Sequence, residues 1–151
     1  MSFVYTNVFS NEELDYLTNH PKVLKAKTLL DNQQSKMIHF SVPITDLLCD
    51  TLQLCFRLNF SANTQIPMRW IKGDIAPHID TSLSNCENIY LIYLNNSPGK
   101  FIIDSKSYSI QSNTGFIFNG GLSHETQNTG NVARLLLGPM NEFGEHVVFL
   151  L

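Results

Sequence analysis

From about Gln65 onward short apolar runs recur every ten residues or so: IPMRWI, NIYLIYL, KFII, SYSI, GFIF, ARLLL and HVVFLL. Turn-forming clusters separate most of them, among them NNSPG, SNTG, NGG and QNTGN. Gly, Asn, Ser and Pro fill such clusters because their backbones or side chains suit the angles of tight turns. Seven or eight short strands at this spacing indicate an all-β sandwich or barrel. No internal repeat accompanies them.

The first part of the chain reads differently. Ser10 followed by Glu13 fits a capping box, so a short helix is expected from about Asn11 to Asn19, with Leu14 and Leu17 inward and Pro21 as its stop. Weak alternation through Val23 to Leu30 and again through Met37 to Val42, around the polar turn DNQQS, predicts a hairpin. Pro43 then stands at a plausible helix start. Ile44, Leu47, Leu48, Leu52, Cys55 and Leu58 follow at helical spacing, which predicts a second helix to about Leu58.

The chain has 151 residues, a net charge of -3 and 43% hydrophobic residues, which suits one compact domain with enough apolar surface to order itself. No run approaches the ~18 apolar residues of a membrane span, and the N-terminus lacks a basic segment followed by an apolar one. A soluble, cytoplasmic protein is therefore expected. Cys49, Cys55 and Cys86 are odd in number and share no zinc-ligand spacing, which fits a reducing compartment. Slight acidity argues against broad binding to nucleic acid. The cluster Lys22, Lys25 and Lys27 reads as a solvated edge.

Position gives the histidines their meaning. His78 and Asp80 stand two apart in WIKGDIAPHID, and on an extended chain such side chains project the same way. They could supply two ligands of a metal site; the plain alternative is a surface His beside a turn Asp. His124 lies 46 positions later in NGGLSHETQNTG, far enough for the chain to cross a small barrel and return. Two imidazoles and one carboxylate make the facial triad that holds non-haem Fe(II) and leaves coordination positions open. On its own His124 could equally be a loop residue beside a Gly-Gly turn. His20, His39 and His146 read as structural or solvent-facing.

Arg134 interrupts the apolar strand VARLLLG, where alternation puts Val132, Arg134 and Leu136 on one face and Ala133, Leu135 and Leu137 on the other. An unpaired buried guanidinium costs several kcal/mol, so the position demands an anion, either a protein carboxylate or a bound ligand. A hairpin through QNTGN could bring Arg134 into the cavity of the metal, where a dicarboxylate would satisfy it.

Over about Ile66 to Pro139 the sequence resembles the Fe(II)- and 2-oxoglutarate-dependent oxygenases, in particular their prolyl hydroxylase-like branch. The resemblance rests on Trp70 and Gly73 leading to His78 and Asp80, on YLIYLNNSPGKF, and on IQSNTGFIFNGGLSHETQNTGNVARLLL. It implies a mainly β, cupin-like jelly roll, the double-stranded β-helix, over residues 66–151. Two helices and a hairpin over residues 1–65 would pack outside it, and the whole 1–151 would form one domain. It further implies Fe(II) held by His78, Asp80 and His124, 2-oxoglutarate anchored through its distal carboxylate by Arg134, and O2 as co-reactant, with ascorbate a further candidate. Members of the branch often carry a Tyr where this chain has Trp70, and that Tyr can reach the distal carboxylate. Tyr93 could supply the missing hydroxyl, while Tyr90 would point to the opposite face.

The function this implies is hydroxylation of a protein or peptide side chain, with proline the first target. Short loops, and the hairpin over Val23 to Val42, would grip the substrate. A nucleic-acid demethylase of the same superfamily ranks lower, because no second Arg follows Arg134 in LLLGPMNEF. A cupin-like barrel that binds an anion without redox chemistry is the non-enzymatic alternative. Oligomeric state is not legible.

Overall fold

The computed structural model describes residues 2–60, 64–81 and 88–150. In chain order the elements are β1 (Phe3–Thr6), α1 (Asn11–Asn19), α2 (Pro21–Asp31), β2 (Met37–Pro43), α3 (Asp46–Phe56), β3 (Gln65–Ile71), β4 (Ile79–Thr81) and β5 (Asn88–Tyr93). There follow β6 (Ser97–Ile103), β7 (Lys106–Ile110), β8 (Thr114–Asn119), β9 (His124–Gln127), β10 (Arg134–Met140) and β11 (Val148–Leu150). Cys86 lies outside the described residues.

The capping box starts α1 as expected. Ser10 Oγ accepts from Glu13 N at 3.3 Å, and Glu13 Oε1 accepts from Ser10 N at 3.0 Å. The predicted hairpin is corrected. Pro21 ends α1 but also opens α2, because the first helical position needs no N–H and its fixed φ suits the helix. His20 serves both helices, and its Nδ1 caps α2 by accepting from Lys22 N at 3.1 Å. Val23, Ala26 and Leu30 then share one buried face, so the helical period overrides the weak alternation. Only Met37–Pro43 becomes a strand. Pro43 closes that strand instead of opening a helix, and α3 begins after Thr45, whose Oγ1 accepts from Leu48 N at 3.2 Å. The described residues thus hold three helices, one more than predicted.

All strand pairings are antiparallel, in a six-stranded sheet ordered β1-β8-β5-β10-β3-β2, a three-stranded sheet β7-β6-β9 and a two-stranded sheet β11-β4. A bridge between His78 and His124 links the approach to β4 onto β9. The six-stranded sheet has two apolar faces. Leu17, Val23, Leu48, Leu52 and Phe56 pack with Ile66, Met68, Leu135 and Leu137 on the helical side. Ile71, Leu91, Tyr93 and Leu136 meet Phe101, Phe116 and Phe118 on the other. Gly115 in β8 makes the first packing possible, since a Cβ there would lie 2.6 Å from the Phe56 ring. No helix is long and apolar enough to cross a membrane.

Candidate functional site

His78 and His124 meet across the bridge. His78 N donates to His124 O at 3.1 Å and His124 N donates to His78 O at 2.9 Å, a hydrogen-bonded antiparallel pair that holds the two side chains on one face. Their ring centroids lie 4.2 Å apart with the planes at 58°. His124 is buried, with its ring against Phe118 at 4.7 Å and edge-on to Phe101 at 6.1 Å.

Both rings are oriented alike. His78 Nδ1 lies 2.8 Å from Ala76 O and His124 Nδ1 lies 3.1 Å from Leu122 O. A carbonyl oxygen only accepts, so the neutral rings carry their proton on Nδ1 and keep the lone pair on Nε2. That tautomer suits a metal ligand. Asp80 follows in β4, paired with Phe149, and its side chain lies outside what is described. Among the described residues no three His, Cys, Asp or Glu side chains cluster as a metal site.

Arg134 opens β10 opposite Ile71 of β3 and is 0% exposed. Its Nη2 donates to Gly73 O at 2.9 Å. Its Nε and Nη1 are buried without a hydrogen-bond partner among the described residues. Burial pushes the guanidinium below its usual pKa, while Tyr93 and Asp74 pull it back up. Asn95 fixes the strand on either side of it: Asn95 Oδ1 accepts from Leu135 N at 2.7 Å and Asn95 Nδ2 donates to Ala133 O at 2.9 Å.

One cavity collects these groups. Its walls include His78, His124, Arg134, Tyr93, Arg69 and Leu136, around a narrow space of about 30 Å3. Tyr93 is buried, and burial raises its hydroxyl to about 12 against the pull of Arg134 and Arg69, so it stays a neutral donor near pH 7. Tyr90 belongs to the helix-side core. Trp70 is excluded from the cavity: its Nε1 donates to Val23 O at 3.0 Å under α2, on the face opposite Arg69. Of the two sources considered for a carboxylate-binding hydroxyl or N–H, only Tyr93 lines the site.

Two contributors carry a sequence signal of their own. Arg69 is 2% exposed in the middle of β3, an arginine inside the apolar run IPMRWI, and the argument applied to Arg134 applies equally to it. Asp74 ties the segment ahead of His78 to the turn after β9. It accepts from Thr129 Oγ1 at 2.6 Å, Thr129 N at 2.9 Å and Asn128 N at 3.1 Å, bonds that hold its carboxyl below the usual range. Thr126 adds to this tie, with its Oγ1 accepting from Ile75 N at 2.9 Å.

The two imidazoles could each contribute a metal ligand through Nε2, and the guanidinium, with two donors unmatched among the described residues, could take an anion.

No family model matches the chain, and no curated protein matches it in sequence. Solved structures do. A Pseudomonas putida prolyl-4-hydroxylase superposes with a TM-score of 0.57 at 10% identity, covering 90% of this chain and 89% of that one. A 2OG-Fe(II) oxygenase family oxidoreductase from Burkholderia pseudomallei gives 0.41 at 13% identity over 91% of this chain and 56% of its own. A salicylate 1,2-dioxygenase from Pseudaminobacter salicylatoxidans gives 0.46 at 6% identity over 93% and 38%. The chain is mainly β and shares its fold with the Pseudomonas putida prolyl-4-hydroxylase.

Proposed function

We propose that this chain is an Fe(II)- and 2-oxoglutarate-dependent dioxygenase that hydroxylates a protein or peptide side chain, prolyl residues first among the candidates. The observation that carries the reading is Arg134, a fully buried guanidinium with two donors unmatched among the described residues, in the cavity that holds the His78 and His124 rings. In this reading residues 1–151 form one domain, and the six-stranded sheet and the smaller sheets are the two walls of a double-stranded β-helix.

His78, Asp80 and His124 would hold the iron, and Arg134 with Tyr93 would hold the distal carboxylate of 2-oxoglutarate. Once bound, these groups supply the oxidising power, coupling decarboxylation of 2-oxoglutarate to succinate with insertion of one oxygen atom of O2 into a C–H bond. The chain's part is placement. The Ala76 and Leu122 carbonyls hold the Nδ1 protons and aim each Nε2 lone pair. Arg134 offers charge-assisted hydrogen bonds in a fixed fork. Tyr93 offers a donor that does not ionise near pH 7. Ile71, Leu91, Phe101 and Leu136 line the same space with apolar surface that keeps bulk water out.

Anaerobic addition of Fe(II) and 2-oxoglutarate should produce a weak visible charge-transfer band, and peptide libraries should then support succinate release in air. No band with the intact chain overturns the reading. Turnover of methylated oligonucleotides alone would keep the chemistry but replace the substrate class.

A further inference from the structure

We propose that β2 and α2 form a docking groove for an extended acidic peptide segment, which adds as a further strand along the free edge of β2. β2 is the last strand of the six-stranded sheet, and among the described residues no strand lies beyond it. Lys72 N donates to Lys36 O and Ile44 N donates to Thr64 O, each at 2.9 Å, at the two ends of the β2–β3 ladder. Antiparallel pairing alternates, so Ile38, Phe40 and Val42 turn their backbone groups toward β3 while Met37, His39 and Ser41 turn theirs outward.

Both ends of that outward row are closed by side chains. Ser35 Oγ donates to Met37 O at 2.9 Å and accepts from Met37 N at 3.3 Å. Tyr16 Oη donates to Pro43 O at 2.5 Å. The middle, from His39 to Ser41, keeps two N–H and two C=O groups facing out. Exposed edges are commonly guarded by a lysine, a proline or a bulge; β2 has such a guard only at its last residue, Pro43, and none from Met37 to Val42. An edge capped at its ends and open in its centre matches a short added strand.

A groove of about 240 Å3 runs along this edge. It is lined by Lys22, Lys25, Ala26 and Leu29 of α2 and by the consecutive residues Ile38, His39, Phe40 and Ser41 of β2. Because successive strand residues face opposite ways, a lining that takes four in a row follows the edge and not one face. Lys22 and Lys25 are exposed, neither forms an ion pair among the described residues, and no Asp or Glu lines the groove. This charge selects the occupant. A second copy pairing edge to edge would set lysine against lysine, and a nucleic acid strand has no amide ladder to match His39 and Ser41. An extended segment with acidic residues toward α2 and apolar residues over Ala26, Leu29 and Phe40 satisfies both the backbone and the charge. The groove also lies next to the candidate site, since His39 pairs in register with Arg69, which lines the cavity.

The test is fluorescence anisotropy of the full chain with a labelled ten-residue peptide alternating Glu and Val, in low and high salt. It needs neither metal nor cosubstrate, so its failure is separate from failure of the oxygenase reading. Binding is expected to weaken with salt, to fall about tenfold in a K22E/K25E double variant, and to disappear when the peptide carries alternate N-methyl amides. Ser41→Pro, which removes one outward N–H at an edge position where proline is tolerated, should also abolish it. Circular dichroism checks that each variant is folded. Absence of binding overturns the proposal, as does binding indifferent to K22E/K25E, equal binding of a single-stranded oligonucleotide, or self-association of the free chain that Ser41→Pro dissolves.

Discussion

His78 and His124 exchange both of their backbone hydrogen bonds, at 3.1 and 2.9 Å, so the two imidazoles are cross-strand neighbours 4.2 Å apart whose separation is set by the main chain. Substituting either ring by Ala should therefore remove the metal-dependent absorption band and succinate formation while the chain stays folded. Anaerobic titration with Fe(II), followed by visible spectroscopy and circular dichroism, checks both halves. Retention of stoichiometric Fe(II) binding in His78→Ala would contradict the assignment.

Arg134 should separate affinity from stability. Arg134→Met is expected to weaken 2-oxoglutarate binding by roughly 1.5 to 3 kcal/mol, the contribution of a charge-assisted bond, and to leave metal binding in place. The unliganded variant should lose less than about 1 kcal/mol, because removal of two buried donors unmatched among the described residues offsets loss of the bond to Gly73. Calorimetric titration and urea unfolding measure the two effects.

The Asp74 tie has a pH signature. Its folded pKa lies below the ordinary 3.8, with the Thr129 side chain the first cause and the Thr129 N–H the second. A lowered carboxyl pKa contributes stability that is present above the unfolded value and fades as pH falls through the folded one. Asp74→Asn should thus be less stable than the parent from pH 5 to 8, and the difference should shrink below about pH 4. Unfolding series at several pH values test this, and a difference that grows on acidification would refute it.

His39 acts in the same direction over a higher pH window. Partial burial, then Arg69 and His146, lower its pKa from 6.5 to about 4, and its ring faces that of His146 at 4.5 Å. The unfolded chain takes up the proton first, so this group withdraws stability as pH falls from 6.5 toward 4 and no further below that. His39→Gln should flatten the pH dependence in that window. Denaturant midpoints at pH 7, 5 and 4 read the effect.

Gly99 sits at φ +86 where a Cβ would lie 2.2 Å from Gln127 O, at the end of the strand that begins with His124. Gly99→Ala should cost about 1 to 3 kcal/mol from backbone strain, plus displacement of β9, seen as a lower melting temperature and weaker Fe(II) binding.

Local chemistry made some of this structure readable in advance and hid the rest. α1 was legible because Ser10 and Glu13 satisfy each other within four residues. α2 was not, since its apolar positions from Val23 to Leu30 fit a strand nearly as well as a helix, and Pro21 both ends one helix and begins another. Strand alternation sorted Tyr93 from Tyr90 and Arg134 from its neighbours, because a two-residue period needs no tertiary information. The same rule applied to IPMRWI would have placed Arg69 beside Arg134 and turned Trp70 away. β4 and β9 are three and four residues long, and their pairing depends on partners far along the chain. Asp74 works through a turn more than fifty residues away, which no local pattern encodes.

The tie from Asp74 to Asn128 and Thr129, with Thr126 bonded to Ile75 and Arg134 to Gly73, fastens the segment before His78 to the connection between β9, which carries His124, and β10, which carries Arg134. His124 belongs to the small sheet and Arg134 to the large one, so these bonds are stitches across the seam between the two sheets. The spacing between the imidazole pair and the guanidinium is therefore set by side chains and turn backbone that lie outside the strand ladders themselves.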